Sequence, residues 1–398
     1  MRVIAAVCTA LFLLFAVLLL KPGPEDPAPW SGSHSPDAVQ PGTPSLEVMA
    51  GQMILCGFRG TGEETGEEAR EELKVLFEDV AAGRLGGVIY FTVDALTREK
   101  GRNITSLEQA ARLSAGLQKK ARVPLFISVD QEGGRVRRFT EEHGVPATPS
   151  ARVLGWGEPE ATRAEAWSLG LFLRQAGVNL NFAPSLDVDS NPDSPAIGAL
   201  GRSFGADPAS VAAHGLAFAE GMRDAGLIAC YKHFPGHGSA TEDSHRGLTD
   251  ISATWDASEL APYREVLPQS PPAMVMLGHM VHRGMAGELP ASLSPAVVAL
   301  LRKDLGWQGV ICTDDMQMRA VEDMYSPEEA IALAVEAGVD ILLLGNNLRH
   351  DPLTARKAHA ALMELVTSGR VPEERIRESY ERIMKLKREA GLLSISPN

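Results

Sequence analysis

From about Ser45 onward the chain alternates short, continuous apolar runs with longer stretches in which apolar residues recur every three or four positions. The runs are Met53–Phe58, Gly87–Phe91, Pro124–Asp130, Val178–Ala183, Leu227–Tyr231, Ala273–Leu277, Val310–Thr313 and Val339–Leu344. The amphipathic stretches between them centre on Glu68–Ala82, Leu107–Lys120, Glu160–Ala176, Ala209–Asp224, Glu259–Val266, Ala296–Leu305 and Glu328–Glu336. Two more, near Ala355–Val366 and Glu373–Lys387, close the chain. A run that is apolar at successive positions leaves neither face for water, which predicts strands of a parallel sheet covered on both sides. Alternation of such strands with helices implies right-handed βαβ units. About eight units predict an α/β fold, a single (β/α)₈ TIM barrel spanning residues 45–398. The competing architecture is an open doubly wound sheet. A nucleotide-binding version of it carries a glycine fingerprint after the first strand, and Gly57-Phe58-Arg59-Gly60-Thr61-Gly62 lacks that spacing.

The first residues form a separate unit. Val3 to Leu20 carries no charge and follows Arg2, which predicts an apolar helix long enough to span a bilayer. The run ends at Lys21-Pro22 with no small-x-small cleavage site, so an uncleaved membrane anchor over residues 1–21 is expected rather than a removed signal peptide. Residues 22–44 are rich in Pro, Ser and Gly and predict an extended linker. This places the globular part in the cell envelope outside the cytoplasmic membrane. The alternative is a protein secreted or released into the periplasm after cleavage.

Composition narrows the partners. A formal net charge of -13 repels nucleic-acid phosphates and anionic lipid. No nucleic-acid partner is therefore expected, and membrane contact is expected through the N-terminal segment only. Cys8, Cys56, Cys230 and Cys312 have no metal-ligand spacing and read as small buried hydrophobes, with a disulfide left open.

Polar residues collect where each predicted strand ends, which is where barrel enzymes place their sites. Asp130-Gln131-Glu132-Gly133-Gly134-Arg135-Val136-Arg137-Arg138 follows strand three, and Arg202-Ser203-Phe204-Gly205 lies in the long loop after strand four. Lys232-His233-Phe234-Pro235-Gly236-His237-Gly238 and Asp243-Ser244-His245 follow strand five. Gly278-His279 ends strand six and Thr313-Asp314-Asp315-Met316 ends strand seven. Each has a plainer reading: an Asp at a strand end caps the next helix, a His beside Gly and Pro is a loop residue, and Arg135, Arg137 and Arg138 are a solvated run. Convergence of several clusters on one rim argues for a site. A mixture of Lys, Arg, Asp and His suits the hydroxyls of a neutral sugar. Zinc at His233, His237 and His245 is disfavoured, because Pro235 and Gly236 stop His233 and His237 from sharing a helix face. No metal and no cofactor are expected.

Retaining glycoside hydrolysis needs a carboxylate nucleophile and a proton donor for the leaving oxygen. Asp314 suits the nucleophile, kept ionised by cations such as Lys232 or Arg202. His245, oriented by Asp243, suits the acid and then the base, since histidine exchanges its proton near neutral pH.

These motifs resemble glycoside hydrolase family 3, in its β-N-acetylglucosaminidase branch, from about Ser45 to Leu393. Lys-His-Phe-Pro-Gly-His-Gly followed by Asp-Ser-His is specific to that branch, and Val310–Met316 resembles its nucleophile strand. The resemblance implies Asp314 as nucleophile, the Asp243–His245 dyad with His245 as acid/base on a mobile loop, and Asp130, Arg138, Arg202, Lys232 and His233 as sugar-binding residues. It implies a covalent glycosyl-enzyme and an amino-sugar glycan or muropeptide substrate, here acted on by a monomer. The chain departs from the pattern in a slightly longer loop between Gly198 and Arg202 and in its N-terminal segment, and no second α/β domain is expected after the barrel. Two other functions compete with hydrolysis of terminal β-linked N-acetylhexosamine. One is phosphorolysis of the same bond, and the other is non-catalytic glycan binding.

Overall fold

A computed structural model describes residues 44–393, and all that follows concerns those residues. The expected apolar helix of residues 3–20 and all of the expected linker but Pro44 lie outside them. Eight parallel strands form the barrel: β1 Ile54–Gly57, β2 Gly87–Ile89, β3 Phe126–Val129, β4 Leu180–Asn181, β5 Ile228–Phe234, β6 Ala273–Leu277, β7 Val310–Thr313 and β8 Leu342–Leu344. They follow one another in chain order round the sheet, and β8 returns to β1 with Ile54 opposite Leu342 and Cys56 opposite Leu344. The remaining seam, β7 to β8, is joined by Thr313 N donating to Ile341 O and Ile341 N to Ile311 O, both at 3.0 Å. The eight strands make a closed (β/α)₈ barrel, as the continuous apolar runs predict. Cys56, Cys230 and Cys312 are free and buried in its walls, with the Cys230 and Cys312 sulfurs 3.8 Å apart.

A short helix, α1 (Leu46–Gln52), precedes β1. The main helices are α2 Glu67–Ala82, α3 Leu107–Lys120, α4 Pro159–Gln175, α5 Pro208–Asp224, α6 Ala261–Val266, α7 Pro295–Ala299, α8 Pro327–Ala337, α9 Thr354–Thr367 and α10 Glu373–Glu389. Their ends follow local chemistry. Asp207 accepts from Ala209 N and Ser210 N ahead of α5, Ser106 from Gln109 N ahead of α3, and Ser326 from Glu329 N ahead of α8. Proline occupies the first turn of α4, α5, α7 and α8, where no helical N–H partner is lost. Gly83 and Gly338 end α2 and α8 in left-handed conformations, at φ 76° and 108°. Two elements differ from expectation. The helix expected over Ala296–Leu305 widens into a π-helical stretch at Leu300–Asp304, where Arg302 reaches Asp340 at 2.6 Å. Strand β5 continues past Tyr231 to Phe234, because Phe234 still pairs with Leu277 of β6.

Candidate active site

The β5 extension positions two side chains. Along a regular strand, neighbours point to opposite faces. The β5–β6 register shifts between Tyr231 and Phe234, and consecutive Lys232 and His233 both line one cleft. That cleft has a volume of about 420 Å³ at the C-terminal rim, bounded by Asp130, Arg138, Arg202, Lys232, His233, His245, Asp314 and Asp315 among others. Seven of the eight site residues anticipated from sequence face it. The eighth, Asp243, stands behind His245.

The β3 loop shows how the chain shapes the cleft. Glu132 precedes Gly133 and Gly134, at φ 97° and 56°. A Cβ on Gly133 would lie 2.3 Å from Pro149 O, so only glycine makes this turn without moving the backbone. The chain then doubles back, and Gln131 fixes the return: its Oε1 accepts from Arg138 N at 2.7 Å and Phe139 N at 3.0 Å. Arg138 is thereby brought to Asp130, with 3.2 Å between Nη2 and Oδ2.

Lys232 lies between two carboxylates, 2.9 Å from Asp130 Oδ1 and 2.7 Å from Glu132 Oε1. Arg202 clamps Glu132 through Nε at 2.9 Å and Nη2 at 2.7 Å, a bidentate pair. Burial pushes the Asp130 and Glu132 carboxyls up, but Lys232 with Arg138, and Arg202 with Lys232, outweigh it and hold both below the usual carboxylate range. Burial likewise opposes the Lys232 ammonium, and the two carboxylates overcome it. Sequence reasoning missed Glu132. It stands in the Asp-Gln-Glu-Gly-Gly run, but its partner Arg202 is in another loop.

Asp187, also missed, is fully buried and organises the β5 end. It accepts from His233 Nδ1 at 2.7 Å, His233 N at 3.2 Å and His237 N at 2.8 Å. This fixes the tautomer of His233 and leaves Nε2 toward Arg202, 3.3 Å away. Its signal was a lone Asp after strand four, in Ser185-Leu186-Asp187-Val188.

Asp314 follows β7 and continues its ladder, its N–H donating to Leu277 O at 2.9 Å. Burial raises the Asp314 carboxyl. Nearby His233, His279 and His245, with the Asp315 N–H at 2.8 Å, outweigh that and hold it below its ordinary range. Lys232 and Arg202, the cations expected near it, lie against Asp130 and Glu132. Asp315 goes the other way. Burial pushes it up to about 6, although its Oδ1 accepts from Gly345 N at 2.8 Å and Gln317 N at 3.0 Å. The two adjacent carboxyls are thus driven apart in acidity. His279 donates from Nε2 to Asp315 O at 2.9 Å and receives from Ser292 Oγ at 2.6 Å.

His245 sits on the loop after β5, its side chain 56% exposed, with Nδ1 2.8 Å from Asp243 Oδ1. That hydrogen bond raises the imidazole above its ordinary value against the effect of burial, and lowers Asp243 to about 2. Asp243 also accepts from His245 N at 3.0 Å, so one carboxylate sets both the ring and the backbone of its partner. Among the described residues no group of three His, Cys, Asp or Glu side chains is arranged to hold a metal ion. His237 instead stands edge-on to His233, 5.7 Å between ring centres.

The chain resembles known proteins over nearly all of the barrel. The family model described as the glycosyl hydrolase family 3 N-terminal domain matches residues 45–386. "Beta-hexosaminidase A" of Pseudoalteromonas piscicida is 33% identical over 90% of this chain and 63% of its own length. "Beta-hexosaminidase LpqI" of Mycobacterium tuberculosis is 38% identical over 67% of this chain and 68% of its own. The solved family 3 β-N-acetylglucosaminidase from Paenibacillus sp. str. FPU-7 superposes with a TM-score of 0.78 at 36% identity, covering 89% of this chain and 65% of that one. The chain therefore spans under two thirds of the first and third of these relatives, and the shared part is the barrel with its rim. On the family match and these identities, the chain belongs to glycosyl hydrolase family 3.

Proposed function

We propose that the chain is a retaining β-N-acetylglucosaminidase, releasing terminal non-reducing β-linked N-acetylhexosamine from peptidoglycan fragments or related amino-sugar glycans. The carrying observation is one cleft lined by a carboxylate kept ionised, Asp314, and an imidazole kept proton-rich by a carboxylate, His245 on Asp243. Asp314 attacks the anomeric carbon. The bond to the leaving oxygen breaks with its electron pair on that oxygen, and protonated His245 supplies the proton. Neutral His245 then takes a proton from water, whose oxygen attacks the same carbon and expels Asp314 as carboxylate. Asp130, Arg138, Lys232, His233 and Arg202 bind the sugar hydroxyls from donor and acceptor sides. The names of the similar proteins, hexosaminidases and an N-acetylglucosaminidase, support this reading.

The test is release of a fluorogenic phenol from its β-N-acetylglucosaminide and β-glucoside, with Asp314→Asn as control. Preference for the acetamido sugar, lost in the variant while the fold is kept, is the expected result. Full activity in Asp314→Asn would overturn the assignment. Sugar 1-phosphate formed in phosphate buffer would make it a phosphorylase, and tight binding without turnover a lectin.

The same proposal places the protein in the cell envelope as a monomer, held to the cytoplasmic membrane by residues 3–20. The apolar run itself supports this. Among the described residues no helix is long and apolar enough to cross a membrane. Intact-mass measurement on membrane and soluble fractions, with the native mass of the detergent-extracted protein, tests it. Loss of the first residues, a soluble pool or a dimer mass would each overturn the corresponding part.

A further inference from the structure

A second cavity, of about 230 Å³, lies behind the wall of the sugar cleft, where α8 and α9 cover β8. Consecutive residues divide between the two spaces. Asp315 and Leu343 line the cleft, while Met316 and Leu344 line the cavity. On β8 this is the ordinary alternation of a strand, so a single thickness of chain separates them. No residue lines both.

The interior of the cavity is apolar. Val321, Ile331 and Leu344 are buried in its walls, and Ala330 on α8 and Ala358 and Ala361 on α9 offer it only methyl groups. The walls are tied to one another. Arg370, just after α9, pairs with Glu329 at 2.7 Å and Glu336 at 2.8 Å on α8, and Gln317 Oε1 accepts from Asn346 N at 2.5 Å. The volume exceeds the roughly 150 Å³ that accommodates a benzene ring and falls short of the roughly 300 Å³ at which pockets for larger ligands begin.

The mouth is acidic. Glu322, Glu328 and Asp351 face Arg349 and Lys357 there, and Lys357 is taken by Asp351. Glu322 is half-buried, and its cation, Arg349, stands 3.6 Å away and is 64% exposed. Burial raises the Glu322 carboxyl more than Arg349 lowers it. Glu328 makes no ion pair and no side-chain hydrogen bond among the described residues. Two undercompensated carboxylates therefore stand at the entrance to an apolar chamber. Tyr325 also lines it and offers a ring face, which attracts cations.

We infer that this cavity is a second ligand site, built for a small organic ammonium ion whose apolar body, the size of one ring or a short alkyl chain, enters the chamber while its charged head meets Glu322 and Glu328. Burial of the body supplies the attraction, and the carboxylates select the cation over neutral and anionic molecules of the same shape. The ligand is bound and not transformed. The site does not rest on the glycosidase activity proposed above.

The probes are 2-phenylethylammonium, 2-phenylethanol and phenylacetate, which share a ring and differ in charge. Ligand-detected NMR titration follows their binding to the detergent-extracted full chain, and Ala358→Leu, which fills the chamber, gives the background in the same detergent. Ala361→Leu is a second filled variant at a half-buried position, should the first fail to fold. Above that background the wild type should bind the ammonium with a Kd of about 1 mM or tighter, about fivefold or more below that of the alcohol. Phenylacetate should bind weakest. The double variant Glu322→Gln, Glu328→Gln should bring the ammonium to the affinity of the alcohol. Equal binding by wild type and a folded filled variant, equal affinity for the three probes, or an ammonium preference that survives the double variant would overturn the site.

Discussion

Two lysines are buried at opposite ends of the barrel, 2% and 0% exposed, and their surroundings differ in kind. Lys232, at the C-terminal rim, is matched by the carboxylates of Asp130 and Glu132, and its ammonium is held above its ordinary value. Lys387, on α10 under the N-terminal end, meets only neutral acceptors: Gln52 Oε1 at 2.8 Å, Gly86 O at 3.2 Å and Pro124 O at 2.6 Å. The face of Phe126 lies 4.4 Å from its nitrogen. Burial without a counter-ion lowers its pKa to about 7. The contrast separates the two jobs of the barrel. The floor caps open strand ends with hydrogen bonds, which concerns stability. The rim concentrates paired charge in a cavity, which concerns ligands.

Variants at the two ends should therefore divide cleanly. Asp314→Asn carries the largest expected effect. Turnover of the fluorogenic β-N-acetylglucosaminide should fall by about 10⁴-fold or more, the scale seen when a covalent catalyst is removed, with the melting temperature nearly kept. Lys232→Met comes next and touches both properties. It leaves buried Glu132 and half-buried Asp130 with one cation fewer, a loss of about 3–5 kcal/mol in denaturant unfolding, together with loss of sugar binding. Lys387→Met is the counterpart on the floor. It strands three acceptors at a cost of about 1–3 kcal/mol, and kcat/KM of the folded fraction should stay at the wild-type value. Equal activity losses in the two lysine variants would erase the division.

Solution pH sharpens the same contrast, with opposite readouts. At the rim, His245 must be protonated to act on the leaving group. Its raised pKa should put the alkaline limb of kcat/KM above the ordinary imidazole range of about 6.5. Asp243→Asn removes the charge that raises it, so that limb should move to lower pH as the rate falls. At the floor, Lys387 titrates near 7 in the fold and near 10.4 in the unfolded chain. Between those values the unfolded chain holds more protons, so this group makes stability rise with pH across the window. Urea unfolding of wild type and Lys387→Met from pH 6 to 9 measures it, and parallel curves would show that Lys387 does not titrate there.

The fold was legible because a barrel strand is written as a continuous apolar run, and all eight runs became strands. The site was legible in outline for a related reason. Polar residues directly after Val129, Tyr231 and Thr313 interrupt those runs where chain geometry brings them to one rim. Who neutralises whom was not legible. Glu132 acts through Arg202, Asp187 through His233 and His237, and Asp314 is held ionised by His233 in β5, His245 in the loop after it and His279 after β6. Such pairings depend on the closure of the barrel, and no local spacing records them. The Asp243–His245 dyad was read directly because its partners are two residues apart.

The smallest predicted effect concerns how that dyad is held. The loop stem is fixed: Glu259 accepts from Gly238 N at 3.0 Å and Ser239 N at 3.1 Å, and Asn191 donates to Ala240 O at 3.1 Å. Its far end pairs Thr249–Asp250 with Met280–Val281. Between these anchors Thr241, Glu242, His245 and Arg246 are exposed and Ser244 alone is buried. Ser244 Oγ lies 3.3 Å from Nε2 of His237, and Ser244 O accepts from Ala320 N at 3.3 Å. Burial lowers His237 to about 4, so at neutral pH this is a neutral hydrogen bond, contributing about 1 kcal/mol. Ser244→Ala should then cost only a several-fold drop in kcat. The drop should be larger for an alkyl leaving group, which needs the His245 proton, than for dinitrophenolate, which does not. A uniform loss across leaving groups would mean that Ser244 serves the fold alone. A graded loss would place the loop's one buried contact in the positioning of His245.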